Sequence, residues 1–114
     1  MQYASCWGTC FDGANLRRAN LYLVSAWDAS FHGADLTGAS LKGASLIGAD
    51  FTKAILLGAS FSLDGFGGST KLEEADFTKA ILFGANFWGA TYNVRTIFPE
   101  WFKPVKFAMI PKKR

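Results

Sequence analysis

A period of five governs most of this chain. Neither a helix, with apolar spacing near about 3.6, nor a plain strand, with spacing of about 2, can use it. Cut from Ala4, the sequence reads ASCWG, TCFDG, ANLRR, ANLYL, VSAWD, ASFHG, ADLTG, ASLKG, ASLIG, ADFTK, AILLG and ASFSL. The phase breaks at DGFGGS, residues 64–69, and resumes at Thr70 as TKLEE, ADFTK, AILFG, ANFWG and ATYNV, for 17 units in all. The first position is Ala in 14 of the 17, with Thr9, Val24 and Thr70 as exceptions. The third is Leu or Phe in 14, with Cys6, Ala26 and Tyr92 as exceptions. Short units repeated at a fixed interval bury an apolar face only by stacking on one another.

Five residues suit one side of a four-sided coil. Two inward side chains alternate along the side, small then large, as in a local strand. Alanine is small because four sides converge on one lumen, and Leu or Phe fills it. Gly holds the fifth position in nine units, which suits a corner where the backbone takes a positive φ. Asn, Asp or Ser at the second position can bond nearby backbone and stabilise the turn. Four sides make a 20-residue coil, and one duplication checks that number. ADFTKAILLGASF at 49–61 recurs as ADFTKAILFGANF at 75–87, an offset of 26, which equals one coil plus the six residues of DGFGGS. That segment is then a loop bulging from a corner. The expected fold is all-β, a solenoid of about four coils over residues 1–94, followed by a C-terminal capping segment over 95–114. Ala26 is a thin spot in the lumen, and Val24 in the same unit should fill part of it.

The run A(D/N/S)(L/F)xx, as in ADLTG, ADFTK and ANFWG, resembles the pentapeptide-repeat family over about residues 4–94. The resemblance implies a right-handed quadrilateral β-helix. The segment TYNVRTIFPEWFKPVKFAMI resembles a C-terminal sequence of cyanobacterial members with an FP…F.P core, though Trp101 and Ala108 stand where those members carry a small residue and Gly. Family membership implies fold far more than function. Some members mimic a DNA duplex and bind type II topoisomerases, a role that needs a long acidic rod. Here residues 1–94 hold six Lys/Arg and eight Asp/Glu, and residues 95–114 hold six Lys/Arg and one Glu. The coils are nearly neutral and the tail is basic, which argues against that role and against a nucleic-acid partner.

The chemistry-bearing residues are sparse. His32 is the only histidine and falls at an outward fourth position. Cys6 falls at an inward third position and Cys10 at an outward second one; their CxxxC spacing, without a further partner, is weak for a metal. Two cysteines make no disulfide framework and suit a reducing compartment, so the expected location is cytoplasmic. There is no signal-peptide pattern at the N-terminus and no apolar run of ~20 residues to span a membrane. Glu73 and Glu74 read as a solvated corner, and Asp50 and Asp76 as stacked turn residues. Asp64, in the glycine-rich loop, is the one carboxylate a lid would offer a ligand. No catalytic, cofactor-binding or metal site is expected, and the protein is not expected to be an enzyme.

The outward apolar residues say more. With the register above, Ile55 stacks under Ile81 and Leu57 under Phe83, with Trp88 beside them, and Trp7, Trp27 and Ile47 form a second column. Apolar patches of this kind mark contacts. The tail, with Phe98, Trp101, Phe102 and Phe107, is expected to fold over the last coil, since a solenoid end must hide its core and its strand edges. The expectation for function is a non-catalytic module that presents Trp7, Trp27, Ile47, Ile55, Leu57, Ile81, Phe83 and Trp88 to a protein partner. Alternatives are a peripheral membrane factor acting through the basic aromatic tail, which ends Pro111-Lys112-Lys113-Arg114, and a homodimer formed by stacking of the N-terminal ends, since Met1–Tyr3 is too short for a cap.

Overall fold

A computed structural model describes residues 2–66 and 68–113. Met1, Gly67 and Arg114 lie outside the described residues, and with them part of the DGFGGS loop, of the short N-terminal segment and of the basic terminus.

The backbone winds as a solenoid whose second positions pair in parallel, one coil on the next. Ser5 faces Ser25, Cys10 faces Ser30, Asn15 faces Asp35 and Asn20 faces Ser40, each 20 residues on. The spacing becomes 26 across the insertion, where Ser45 faces Lys71, Asp50 faces Asp76, Ile55 faces Ile81 and Ser60 faces Asn86. Each side repeats one hydrogen-bond pattern. The third-position N–H donates to the second-position carbonyl of the next coil, as Leu56 to Ile81 at 2.8 Å. The fifth-position N–H donates to the fourth-position carbonyl, as Gly38 to Leu57 at 2.8 Å.

The third positions fill the lumen. Phe11, Phe31, Phe51 and Phe77 stack with ring centroids 4.9–5.0 Å apart, the spacing of paired strands. Phe61 and Phe87 stack at 4.8 Å in a second column. Leu36, Leu56 and Leu82 are buried in a third. Val24 and Ala26 are both buried, so the large first-position residue sits in the core beside the small third-position one. At the second positions, the side chains of Asn15, Asn20, Asp35, Asp50, Asp76 and Asn86 each accept the N–H two residues on. The positive φ of the fifth position is not confined to glycine: Arg18, Leu23, Asp28, Lys53, Glu74 and Lys79 share it with the glycines. Geometry is thus set by place in the coil, and Gly only makes it less strained.

Where the phase slips, a side chain stands in for a carbonyl. By register the N–H of Gly43 should donate to the carbonyl of Ser62. Instead it donates to Oγ1 of Thr70 at 2.8 Å, and that hydroxyl donates to the Ser62 carbonyl at 2.9 Å. Thr70 replaces Ala at a fully buried first position because the insertion needs this relay. Asn93 does likewise where the repeats end: its Oδ1 accepts the N–H of Glu74 at 3.1 Å.

The ladder continues beyond Val94. Ile97 faces Asp76, and strand β1 (Thr91–Tyr92) pairs in parallel with strand β2 (Ile110–Pro111). Between them lies a 3-10 turn, Pro104–Phe107. Phe98 stacks on Phe77 at 5.6 Å. Phe102 is buried against Phe87 and stacks on Phe107 at 4.4 Å.

Candidate interaction surface

Second and fourth positions point outward, so each side carries two vertical columns. On the third side these are Asn15, Asp35, Ile55 and Ile81 at second positions, and Arg17, Thr37, Leu57 and Phe83 at fourth. Polarity changes along that side. Its lower half holds an exposed ion pair, Arg17 to Asp35 at 3.3 Å, of the kind that contributes little to stability. The Asp35 carboxyl is held below its ordinary range, first by the hydroxyl of Thr37 and then by the Thr37 N–H. The upper half is apolar. Ile55 and Ile81 take second positions without the turn bond that Asn or Asp would make. Phe83 is 72% exposed, and Leu57 and Ile81 are exposed beside it. Trp101 of the tail lies over Phe83 with ring centroids 5.8 Å apart and planes 10° apart. By sequence Trp101 has only a covering role, and nothing in its local sequence signals that it extends this column.

The other candidates lie elsewhere. Trp7 and Trp27 stack on the first side at 5.3 Å, and Nε1 of Trp7 donates to Oγ of Ser25 at 2.6 Å. Ile47 continues that column, its carbonyl accepting the N–H of Asp28 at 2.9 Å. The column then turns polar at Glu73, which accepts a bond from the Thr91 hydroxyl at 2.6 Å. Trp88 is exposed on the fourth side, around the corner from Phe83. The eight residues therefore occupy three places, and only Ile55, Leu57, Ile81 and Phe83 form one patch.

The titratable residues stay apart. His32 is exposed, with Nδ1 2.6 Å from Oγ1 of Thr52. Cys6 is buried and Cys10 exposed, both as free thiols. Among the described residues no group of three His, Cys, Asp or Glu could hold a metal ion. Asp64 spends its carboxylate on its own loop, accepting the N–H of Phe66 at 2.6 Å and of Gly68 at 2.9 Å. Both bonds go to Oδ1. Asp50 and Asp76 each hold the Thr hydroxyl and N–H two residues on. The Asp12 carboxyl lies below its ordinary range, chiefly through the Ser30 hydroxyl. Burial raises the Tyr22 phenol. A cleft of about 550 Å³ lies between Thr78–Ala80 and Ile97–Trp101. No helix among the described residues is long and apolar enough to cross a membrane.

Stacked five-residue sides with an alanine and a large apolar plug define a pentapeptide solenoid. The pattern of pentapeptide repeats matches in eight copies over residues 29–63 and 68–91, and the chain belongs to the pentapeptide-repeat family. A pentapeptide repeat protein of Nostoc Pcc 7120 is similar in structure, with 29% identity, TM-score 0.62, and 98% of this chain and 100% of that one covered. Another, from the thylakoid lumen of Arabidopsis thaliana, has 31% identity and TM-score 0.54, covering 82% of this chain and 68% of that one. HetL, a pentapeptide repeat protein involved in heterocyst differentiation regulation in Nostoc sp. strain PCC 7120, has 25% identity and TM-score 0.56, covering 96% of this chain and 50% of HetL. These neighbours imply a right-handed quadrilateral β-helix. No curated protein matches the sequence.

Proposed function

We propose that the protein is a non-catalytic interaction module: a rigid solenoid of about four coils over residues 1–94, with the loop 64–69 inserted and residues 95–114 capping its C-terminal end. The observation that carries this reading is the third side. There Ile55 and Ile81 displace turn-forming polar residues, and Phe83 and Trp101 extend the apolar column into solvent. Substituting Asn or Asp at both Ile positions would restore the turn bonds made elsewhere, so their apolar character serves something other than the turn. Exposed clustered aromatics are the usual anchors of protein interfaces. The stacked Trp7 and Trp27 make a second, smaller anchor on the first side. No comparable observation stands behind the membrane or topoisomerase readings.

Affinity capture from an extract of the source organism tests the proposal. Proteins recovered with the wild type should be lost with Phe83→Ser, lost in part with Trp27→Ser, and retained with Thr37→Ser on the polar half of the third side. Equal recovery by all folded variants would exclude these surfaces.

A further inference from the structure

The inserted loop leaves the coil after Leu63, at the corner between the fourth and first sides, and it is braced. The Asp64 N–H donates to the Gly68 carbonyl at 2.9 Å. Oδ1 of Asp64 accepts the N–H of Phe66 at 2.6 Å and of Gly68 at 2.9 Å. The Tyr22 hydroxyl, two coils below, donates to the Asp64 carbonyl at 3.2 Å. Phe66 projects from this closed turn and is 90% exposed, more than any other large apolar residue described. A single apolar side chain in solvent is ordinary on a protein surface. One projected by a turn bonded both to itself and to the coil is already ordered before any contact forms, which is what makes an effective anchor.

The same chain carries a receptacle of matching chemistry. The cleft of about 550 Å³ is larger than one phenyl ring, and Ile97, Phe98, Pro99 and Trp101 give it an apolar, partly aromatic wall. It lies where Thr78 and Lys79 end the second side and Ala80 begins the third. That corner is diagonally opposite the one that carries the loop, in a body of 30 × 29 × 24 Å, so Phe66 does not reach the cleft of its own chain. We propose that Phe66 of one copy enters the cleft of a second copy, in a head-to-tail contact between unlike surfaces. The charges at the two rims agree. Lys42 precedes Gly43, on which a built Cβ would lie 2.8 Å from Cβ of Asp64, so Lys42 sits beside the base of the loop. Glu100 lines the cleft. Both are exposed, and among the described residues neither has an ion-pair partner. Lys42 of one copy complements Glu100 of the next, a rim pair that favours correct docking more than it adds affinity. Because the two surfaces differ, the contact repeats into a ring or a filament, according to the rotation it imposes. It is separate from the third-side surface, and only Trp101 belongs to both.

Sedimentation of the full chain over a range of concentrations tests this, with thermal unfolding to confirm that each variant is folded. The wild type should pass from monomer to dimer and beyond in the range of about micromolar to millimolar, as suits a small interface. Phe66→Ser should weaken association by about tenfold or more, and so should Ile97→Lys, which charges the cleft from a half-exposed position. Mixed in equal amounts, these two variants keep one loop and one cleft that match, so they should form a dimer and nothing larger. Lys42→Glu and Glu100→Lys should each weaken association by about threefold, and their mixture should recover it. A monomer at every concentration overturns the proposal. Association that survives both Phe66→Ser and Ile97→Lys overturns it in favour of stacked N-terminal ends. Association lost with Phe83→Ser but kept with Phe66→Ser overturns it in favour of the third side. A mixture that fails to form the dimer shows that the contact does not join unlike surfaces, and overturns it as well.

Discussion

The repeat coils and the tail share one ladder but reach it by different means. In the repeats most sides carry the same chemistry: a buried small residue, an outward turn residue, a plug, and a corner of positive φ. In the tail Ile97, Phe98, Ile110 and Pro111 fall into register, on Asp76, Phe77, Thr91 and Tyr92. Pro99 to Ala108 obeys no five-residue rule, and the chain cuts a corner. The contrast separates two requirements that the repeats merge. Pairing is templated by the edge beneath and asks little of the incoming sequence. Turning four corners within 20 residues asks for the whole pentapeptide. A tail that needs only to cover the lumen can dispense with it.

The largest effect should come from testing whether the two regions share one core. Phe51 lies between Phe31 and Phe77 at 4.9 Å on both faces and is fully buried. Phe51→Ala should cost about 3–5 kcal/mol in urea unfolding. Phe98 has one face on Phe77 at 5.6 Å and is only partly buried, so Phe98→Ala should cost about half as much. Equal costs would make the tail an equal member of the cooperative unit and break the distinction.

The next effect concerns the two places where the ladder is patched. Thr70→Val keeps the volume at a buried site but removes the hydroxyl that joins Gly43 to Ser62. It leaves the part-buried Gly43 N–H and the buried Ser62 carbonyl without a bridge, at about 2 kcal/mol. Thr70→Ser should stay within about 1 kcal/mol of the wild type. A neutral Thr70→Val would mean that the insertion relaxes enough for Gly43 and Ser62 to bond directly.

How much was legible follows from the same contrast. The coil, the 26-residue offset across the loop and the Phe and Leu files could be read because each pentapeptide reports its own environment. The columns of Trp7 with Trp27 and of Leu57 with Phe83 followed by adding 20 or 26 to a residue number. Thr70 read only as an exception to alanine, since its purpose depends on Gly43 and Ser62, which lie 27 residues back and 8 residues back. Trp101 over Phe83 was not legible at all. It depends on the path of an irregular segment, and no local pattern encodes a short cut. Of the eight surface residues, only the place of Trp88, on the next side from Phe83 and not beside it, needed the structure.

The smallest effect should locate acid sensitivity in the repeats. Asp12 and Asp35 both belong to the lower coils, and both carboxyls lie below the ordinary value of 3.8, chiefly through the Ser30 and Thr37 hydroxyls respectively. A carboxylate with a depressed folded value stabilises fully above its unfolded value, and that stabilisation is lost as pH falls through the folded one. Stability should therefore be level above about pH 4 and decline below it. The Asp12→Asn, Asp35→Asn double variant keeps an oxygen to accept each hydroxyl but has no charge to lose, so its thermal midpoint should fall less between about pH 4 and about pH 2. Both groups are solvent-facing, so the difference should be smaller than that of Thr70→Val. Superimposable acid profiles for the variant and the wild type would show that these hydroxyls shape the turns without favouring the charged carboxylates. Acid sensitivity would then have to be sought in the other carboxylates of the coils.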